Sequence, residues 1–105
     1  MMTFSERVIK IARSIPKGRV TTYGRIARAA GSGPMASQSI TGILGKAWES
    51  GITDIPFHRI VYADGRIWVD AKHRKKRMEL YREEGVTIDS RDRVENFRSV
   101  LYELK

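Results

Sequence analysis

The chain contains no cysteine among its 105 residues, which excludes disulfides, thiolate metal sites and a cysteine nucleophile. Acidic residues are also scarce: 12 Asp and Glu stand against 20 Lys and Arg, giving a formal charge of +8. No apolar run approaches the roughly 20 residues that a membrane-spanning helix needs, and the first residues lack the apolar stretch of a signal peptide. We therefore expect a cytoplasmic protein without a membrane partner.

The excess of basic residues falls into clusters. A chain of this length is most simply one domain, residues 1–105, and we expect a monomer. Its two basic clusters comprise Lys17, Arg19, Arg25 and Arg28, and then Lys72, Arg74, Lys75, Lys76 and Arg77. Such clusters neutralise the phosphates of nucleic acids, but they also form solvated surfaces that keep small proteins soluble. Charge alone leaves both interpretations open.

Apolar spacing in the first half of the chain predicts three helices. The first should cover residues 3–14, the second should begin after Thr21 and Thr22, and the third should run from about Ala36 to Trp48. A glycine- and proline-bearing break at residues 31–34 separates the second and third helices. Two short helices around such a turn predict a helix-turn-helix unit whose second helix enters a DNA groove.

The second half of the chain shows a different periodicity. Residues 60–62 and 67–69 are short β-branched or aromatic runs on either side of Asp64-Gly65, which predicts a hairpin that would serve as a wing. Residues 72–84 should form a charged helix, and the apolar residues between 94 and 104 lie at helical spacing. The predicted fold class is mainly α with a small β-hairpin, a winged helix-turn-helix.

Several ordered motifs resemble one family of DNA-repair proteins. They are F-x-x-x-V at Phe4–Val8, I-P-K-G-R-V-T-T-Y-G-R-I-A at Ile15–Ala27, I-P-F-H-R-I-V at Ile55–Val61 and E-E-G at Glu83–Gly85. Together they resemble the DNA-binding domain of O6-alkylguanine-DNA alkyltransferases over about residues 3–86, which leaves 87–105 as a C-terminal extension. The family motif P-C-H-R-V has its reactive cysteine where this chain has Phe57, as in alkyltransferase-like proteins. The resemblance implies lesion binding by nucleotide flipping without alkyl transfer.

The resemblance also assigns a former catalytic pair. In the family, the histidine after the cysteine and a later glutamate activate the thiol, and the matching residues are His58 and Glu84. Because there is no thiol to deprotonate, we expect this pair to be structural and to fix the turn at Pro56-Phe57. Arg59 has donors that suit loop carbonyls as well as phosphate, and we favour the structural role. We expect no cofactor, and no metal, because the two histidines lack ligand-spaced partners.

The resemblance places a lesion pocket at Tyr23, Pro56, Phe57, Ile67 and Trp68. Phe57 either fills the space of the missing thiol as core or lines the pocket against an extruded base. Trp68 lies in the segment that closes the pocket in the family, and its alternative is ordinary hairpin packing. Tyr23 matches the family tyrosine that presses on the phosphate beside the target nucleotide.

The predicted DNA contacts lie in the second and third helices, with Arg59 added from the I-P-F-H-R motif. They are Thr22, Tyr23, Arg25, Ser37, Gln38, Ser39 and Arg59. Gln38 stands where the family has an arginine finger that replaces the flipped base in the stack. Glutamine can hydrogen bond to the orphaned base, but it lacks the cationic plane that stacks on bases.

Two functional hypotheses follow. In the first, the protein is a non-enzymatic sensor that binds O6-alkylguanine in double-stranded DNA and passes the lesion to nucleotide excision repair proteins. In the second, it is a regulatory winged-helix module that reads duplex DNA without flipping. Gln38 favours the second hypothesis, whereas the I-P-F-H-R motif and Glu84 favour the first, because a simple groove reader does not need that loop.

Overall fold

A computed structural model describes residues 2–31 and 37–104, with the backbone alone at positions 37 and 38. Its helices are α1 (Phe4–Arg13), α2 (Tyr23–Ala29), α3 (Ser37–Glu49), α4 (Arg74–Glu83) and the short α5 (Phe97–Val100). Two strands, β1 (Thr21–Thr22) and β2 (Ile60–Val61), and a 3₁₀ turn at Phe57–Arg59 complete the regular structure of this part of the chain. In the same residues, no helix is both long enough and apolar enough to cross a bilayer.

The first helix begins at a capping box. The Oγ1 atom of Thr3 accepts a hydrogen bond from the Glu6 N–H at 3.1 Å, and the Glu6 carboxylate accepts one from the Thr3 N–H at 3.4 Å. Val8 and Ala12 on its apolar face are buried, and Ser14 ends the helix. The predicted helix over 3–14 is therefore confirmed, as is the helix after Thr22.

The first hydrophobic core lies between α1, α2 and α3. Its buried members are Val8, Ala12, Ile15, Ile26, Ala27, Ala30, Ile40, Leu44, Ala47, Ile55 and Ile60. The three helices supply most of them from residues three or four apart, as the spacing of apolar residues predicted. This core fixes α2 and α3 relative to each other, which is the arrangement that a helix-turn-helix requires.

The strands form differently from the prediction. Strand β1 pairs in parallel with β2, so that Thr21 faces Ile60 and Thr22 faces Val61. The turn at Asp64-Gly65 forms, since the Tyr62 N–H donates to the Arg66 carbonyl at 2.9 Å. Residues 67–69, however, make no strand, and the predicted hairpin is wrong in its second arm. The prediction of a mainly helical fold with a small β element is confirmed.

The residues around the turn pair with the C-terminal part of the chain. The Ile67 N–H donates to the Asp92 carbonyl at 2.8 Å, and the Val94 N–H donates to the Gly65 carbonyl at 2.9 Å. Gly65 has a φ of +85°, and a Cβ atom there would lie 3.2 Å from the Phe97 ring, so only glycine fits. The segment that follows the turn therefore pairs with a distant part of the chain.

Residues 87–104 complete a second core. Its buried members are Val20, Val61, Ile67, Tyr81, Val86 and Val94. The Val20 N–H donates to the Val100 carbonyl at 2.9 Å, and the Tyr102 N–H donates to the Val20 carbonyl at 2.7 Å. The helical spacing from 94 to 104 predicted a longer helix, but only residues 97–100 are helical.

Candidate functional site

The site is built around a tight turn that carries Phe57. The Phe57 N–H donates to the Ile55 carbonyl at 2.9 Å, and the Arg59 N–H donates to the Pro56 carbonyl at 2.9 Å. This geometry turns the His58 side chain into the protein, where it is buried. Phe57 itself is only partly buried and contacts the first core with part of its ring.

The turn is held by the carboxylate of Glu84, the C-cap residue of α4. Its Oε2 atom lies 2.6 Å from His58 Nε2 and accepts from Arg59 Nη2 at 2.8 Å. Its Oε1 atom accepts from Arg59 Nε at 3.0 Å and from the Gly18 N–H at 3.0 Å. The predicted pairing of His58 with Glu84 is therefore present, and Arg59 forms a bidentate salt bridge with the same carboxylate.

Arg59 also reaches the loop after α1. Its Nη1 atom donates to the Ile15 carbonyl at 2.8 Å, so the guanidinium joins that loop to the carboxylate. Gly18 in the same loop has a φ of +81°, and a Cβ atom there would lie 3.2 Å from the Glu84 carbonyl oxygen. Glycine thus allows the close approach that brings the Gly18 N–H to the Glu84 carboxylate.

The network keeps Glu84 ionised and His58 neutral. Burial acts to raise the pKa of Glu84, but hydrogen bonds from Arg59, His58 and the Gly18 N–H outweigh it and lower the pKa to about 2. Burial lowers the pKa of His58 below its ordinary value, although the bond to Glu84 opposes this effect. A neutral His58 therefore donates its Nε2 proton to the carboxylate, and the Arg59 charge balances that of Glu84.

An open cleft of about 770 Å³ lies beside this turn. Its aromatic wall consists of Phe57, Trp48 at the end of α3 and Trp68 in the segment after β2. The Trp48 and Phe57 rings meet edge to face with centroids 5.7 Å apart. Both tryptophans are half exposed, at 47% for Trp48 and 53% for Trp68. Exposed aromatic faces in a concave site are typical of binding sites for flat ligands.

The predicted pocket residues are divided by the structure. Pro56, Phe57 and Trp68 line the cleft. The assignment of Ile67 to the pocket is wrong: its side chain is 5% exposed and belongs to the second core, because alternate residues of an extended segment point to opposite sides. Both alternatives for Phe57 apply, since one ring contacts the core and the cleft.

Tyr23 lies outside the described wall of the cleft. It is the first residue of α2, is partly buried against the first core, and has its ring 5.7 Å from that of Tyr62. Burial raises the pKa of Tyr23, the neighbouring Tyr62 adds to this effect, and Arg77 opposes it. Its phenol is therefore neutral at physiological pH and can donate a hydrogen bond to a phosphate. The predicted phosphate contact stays a prediction.

The other predicted DNA contacts differ in their exposure. Thr22 is buried and caps α2 by accepting from the Arg25 N–H at 3.2 Å, so its side chain serves the helix rather than DNA. Arg25 is partly exposed, with Nη1 3.9 Å from a carboxylate oxygen of Glu103, while Ser39 is exposed on α3. Arg59 is occupied by the Glu84 network. The side chains of Ser37 and Gln38 lie outside the described part of the structure.

Sequence reasoning missed one cleft residue that had a visible signal. Trp48 lies beside the apolar face of α3, which buries Ile40, Leu44 and Ala47, and aromatic side chains of this kind commonly line ligand pockets. Lys76 and Arg77, recognised only as part of a basic cluster, also line the cleft. Among the described residues, no group of three or more His, Cys, Asp or Glu side chains forms a metal site.

Comparison with known proteins identifies the family. The family described as 6-O-methylguanine DNA methyltransferase, DNA binding domain, matches residues 3–86, and the chain belongs to this family. A protein named DNA base-flipping protein from Escherichia coli (strain K12) is 32% identical over 93 residues, which cover 89% of this chain and 70% of that protein. A protein of the same name from Vibrio parahaemolyticus is 27% identical, over 84% of this chain and 85% of that protein.

Two solved structures share the fold. The structure of S. pombe Atl1 in complex with damaged DNA containing O6-carboxymethylguanine is 24% identical, covers 98% of this chain and 99% of that chain, and has a TM-score of 0.74. The structure of S. pombe ATL in complex with DNA is 25% identical with the same coverage and a TM-score of 0.74. The similarity extends over both cores, including the C-terminal residues beyond the family match.

Proposed function

We propose that this chain is a non-enzymatic protein that recognises O6-alkylguanine in duplex DNA and holds the extruded nucleotide in the cleft beside Phe57. Membership of the family, relatives named base-flipping proteins and a similar structure solved with DNA support this proposal. The observation that carries it is the cleft itself. One member of its aromatic wall, Phe57, lies on the turn that matches the cysteine-bearing motif of the alkyltransferases, and Trp48 packs against it.

The aromatic wall offsets the cost of extrusion. Removing a nucleotide from the duplex costs a few kcal/mol, and less where pairing is already weakened by damage. Stacking on an aromatic side chain is worth about 1–3 kcal/mol per base. Trp48, Phe57 and Trp68 supply such surfaces in one cleft, so a base whose pairing is weakened by an O6-alkyl group should be held in preference to guanine.

The same residues leave no route for alkyl transfer. Accepting an alkyl group from guanine O6 requires a nucleophile such as a thiolate activated by a neighbouring base. The phenyl ring of Phe57 has no lone pair to donate, and the chain has no cysteine. His58 Nε2 is bound to Glu84 at 2.6 Å and therefore holds the turn in place.

A lesion that is bound but unchanged needs a second activity to remove it. We propose that the complex is handed to nucleotide excision repair, which removes the damaged strand segment and does not depend on reversing the alkylation. Purified excision proteins should incise an O6-methylguanine duplex faster when this protein is present. An unchanged or lower incision rate would contradict the hand-off, while leaving lesion binding intact.

The second candidate, a winged-helix regulator without flipping, rests on Gln38 in place of the family arginine. Such a module would read base edges through α3 and would make no use of the cleft. The buried Glu84 network and the exposed tryptophans of the cleft favour the sensor.

The deciding experiment is a comparison of affinities for two duplexes that differ only in guanine or O6-methylguanine, across a salt series. We expect tighter binding of the lesion duplex at every salt concentration, and mass spectrometry should show that the methyl group remains on the DNA. Equal affinities would favour the regulator. A methylated protein would contradict both candidates.

A further inference from the structure

Three exposed lysines lie at the start of α4: Lys72 just before the helix, and Lys75 and Lys76 in its first turn. We call them the cationic edge. The neighbouring basic residues are occupied. Arg74 binds Asp92 through two bonds of 2.6 and 3.0 Å, and His73 Nδ1 lies 2.8 Å from an Asp70 carboxylate oxygen. The salt bridges among the described residues include none to the three lysines. Their charges are therefore available to an external anion.

This charge pattern does not favour the helix. The N-terminal end of a helix is the positive end of its dipole, so cations in the first turn are unfavourable and acids are favourable. Helix α4 has no acid in its first turn, and its N-cap, His73, makes no side-chain capping bond. Lys75 and Lys76 both lie in this first turn, so two cations face the positive end of the dipole. A local pattern that works against its own element indicates a functional requirement.

The cationic edge is continuous with the cleft. Lys76 and Arg77 line the cleft, and Arg77 Nη1 donates to the Trp68 carbonyl at 3.3 Å, so α4 holds one part of the aromatic wall. Three acids also line the cleft. Asp54 lies 2.7 Å from Arg13 Nη2, Glu49 ends α3, and Asp70, which is hydrogen bonded to His73, is outnumbered by the lysines and Arg77 beside it. The rim on the α4 side therefore presents positive charge.

We propose that the cationic edge is a second contact to the DNA backbone, made by α4 in addition to the contact expected from α2 and α3. The cleft lies between the end of α3, which carries Trp48, and the start of α4, which carries Lys76. A strand whose nucleotide occupies the cleft would thus have phosphates held on both helices. The inference rests on the proposed function, because it requires DNA at the cleft.

Lysine suits this role chemically. Its ammonium group is a compact charge on a flexible stem, which contacts phosphates without reading bases, and each phosphate it neutralises releases counterions. The contact should therefore strengthen binding equally for damaged and undamaged DNA. It should contribute to the salt dependence rather than to the preference for the lesion.

The test is the triple variant Lys72→Gln, Lys75→Gln, Lys76→Gln, measured on lesion and undamaged duplexes across a salt series. Each lost phosphate contact should reduce the slope of log affinity against log salt by about 0.9. We expect both affinities to fall by roughly 10- to 100-fold near 0.1 M salt, while their ratio stays the same. Circular dichroism should show an intact fold, and the Tm should stay level or rise.

Two matched variants complete the design. The triple variant Lys72→Arg, Lys75→Arg, Lys76→Arg keeps the charge and should keep the slope. The variant Lys10→Gln, Arg91→Gln, Arg98→Gln removes the same charge from exposed residues outside the cleft and should reduce the slope less.

An unchanged slope in the first variant, or an equal reduction in the charge control, would overturn the second contact. With an unchanged slope, an acidic protein rather than DNA would be the expected ligand of the cationic edge. Loss of lesion preference in the wild-type protein is the separate result that would overturn the proposed function.

Discussion

Helices α1 and α4 have the same length, ten residues, but they are stabilised in different ways. Helix α1 begins with a capping box at Thr3 and Glu6 and ends with Lys10 and Arg13, so its charges complement the helix dipole. Helix α4 lacks a side-chain cap and an acid in its first turn. Its fixed end is the opposite one, where Glu84 is hydrogen bonded to His58, Arg59 and the Gly18 N–H.

The difference indicates which helix is scaffold and which belongs to the site. Local sequence rules alone account for α1, whose role is to bury Val8 and Ala12 against α2 and α3. Helix α4 depends on tertiary bonds at its C-terminal end and leaves cations exposed at its N-terminal end, beside the cleft. If this contrast is correct, changes at α1 affect stability alone, whereas changes at α4 affect stability at one end and DNA binding at the other.

The largest effect is expected at the Glu84 network. Glu84→Gln removes the negative charge that Arg59 faces in a site where the Glu84 side chain is only 7% exposed. Breaking such a pair leaves a buried charge uncompensated, and we expect a loss of about 3–5 kcal/mol in unfolding free energy by urea titration at neutral pH. Thr3→Ala is the α1 control and should cost about 1 kcal/mol. Similar losses in the two variants would show that the Glu84 network stabilises the fold no more than the cap of α1 does.

The second expected effect concerns acid. The pKa of Glu84 is lowered in the folded state to about 2 from an ordinary value of 4.5, so its stabilisation is present above pH 4.5 and is lost as the pH falls towards 2. Since 1 pKa unit corresponds to 1.36 kcal/mol, the total is on the order of 3 kcal/mol. His58 acts in the same direction. Because its pKa is lowered in the folded state, the unfolded chain takes up a proton first as the pH falls, and this favours unfolding.

The measurement is the unfolding free energy of wild type and Glu84→Gln between about pH 7 and pH 2. The wild type should lose stability first below about pH 6.5, through His58, and then more steeply below about pH 4.5. The gap between the two proteins should close as the pH approaches 2. A gap that stays constant over this range would mean that the Glu84 charge does not stabilise the fold.

A third effect is expected on the α3 side of the cleft. Trp48→Ala removes one aromatic surface, and since stacking is worth about 1–3 kcal/mol per base, the ratio of lesion to undamaged affinity should fall by roughly 5- to 150-fold. Trp48→Phe keeps an apolar ring and should retain most of the ratio. If Trp68→Ala lowers the ratio and Trp48→Ala does not, the base sits against Trp68 alone.

The smallest expected effect comes from giving α4 the kind of first turn that α1 has. Lys75→Glu places an acid in the first turn of α4, where α1 has Glu6 at the equivalent end. We expect unfolding free energy to rise by about 0.3–1 kcal/mol at low salt, while affinity for both duplexes falls. A variant that gains stability without losing affinity would show that this position lies away from DNA.

The sequence predicted those parts of the fold that local patterns determine. Helix α1 followed from apolar spacing, and α2 followed from the cap at Thr22, because both depend on neighbouring residues. The pairing of His58 with Glu84 came from the family resemblance, since the two residues are 26 positions apart and no local pattern links them. The bond from the Gly18 N–H to the same carboxylate is likewise long-range and was not predicted.

The errors have the same physical origin. The Asp64-Gly65 turn was predicted correctly, but its second arm pairs with residues 92–94, and a short apolar run cannot show which distant segment it will meet. The family resemblance placed Ile67 in the pocket together with Trp68, but this pairing turns Ile67 into the second core. The spacing of Val94, Phe97 and Leu101 resembled one helix, yet only residues 97–100 are helical, while Val94 and Leu101 form isolated bridges with Ile88 and Val20.

Entry of the damaged base into the cleft can be followed with the protein's own tryptophans. Both of its two tryptophans, Trp48 and Trp68, line the cleft. Tryptophan emission should therefore be titrated with the O6-methylguanine duplex and with its guanine counterpart at concentrations that give equal occupancy. We predict saturable quenching by the lesion duplex and little change with the guanine duplex. Equal quenching by both duplexes, or binding of the lesion without any change in emission, would contradict insertion of the damaged base into the cleft.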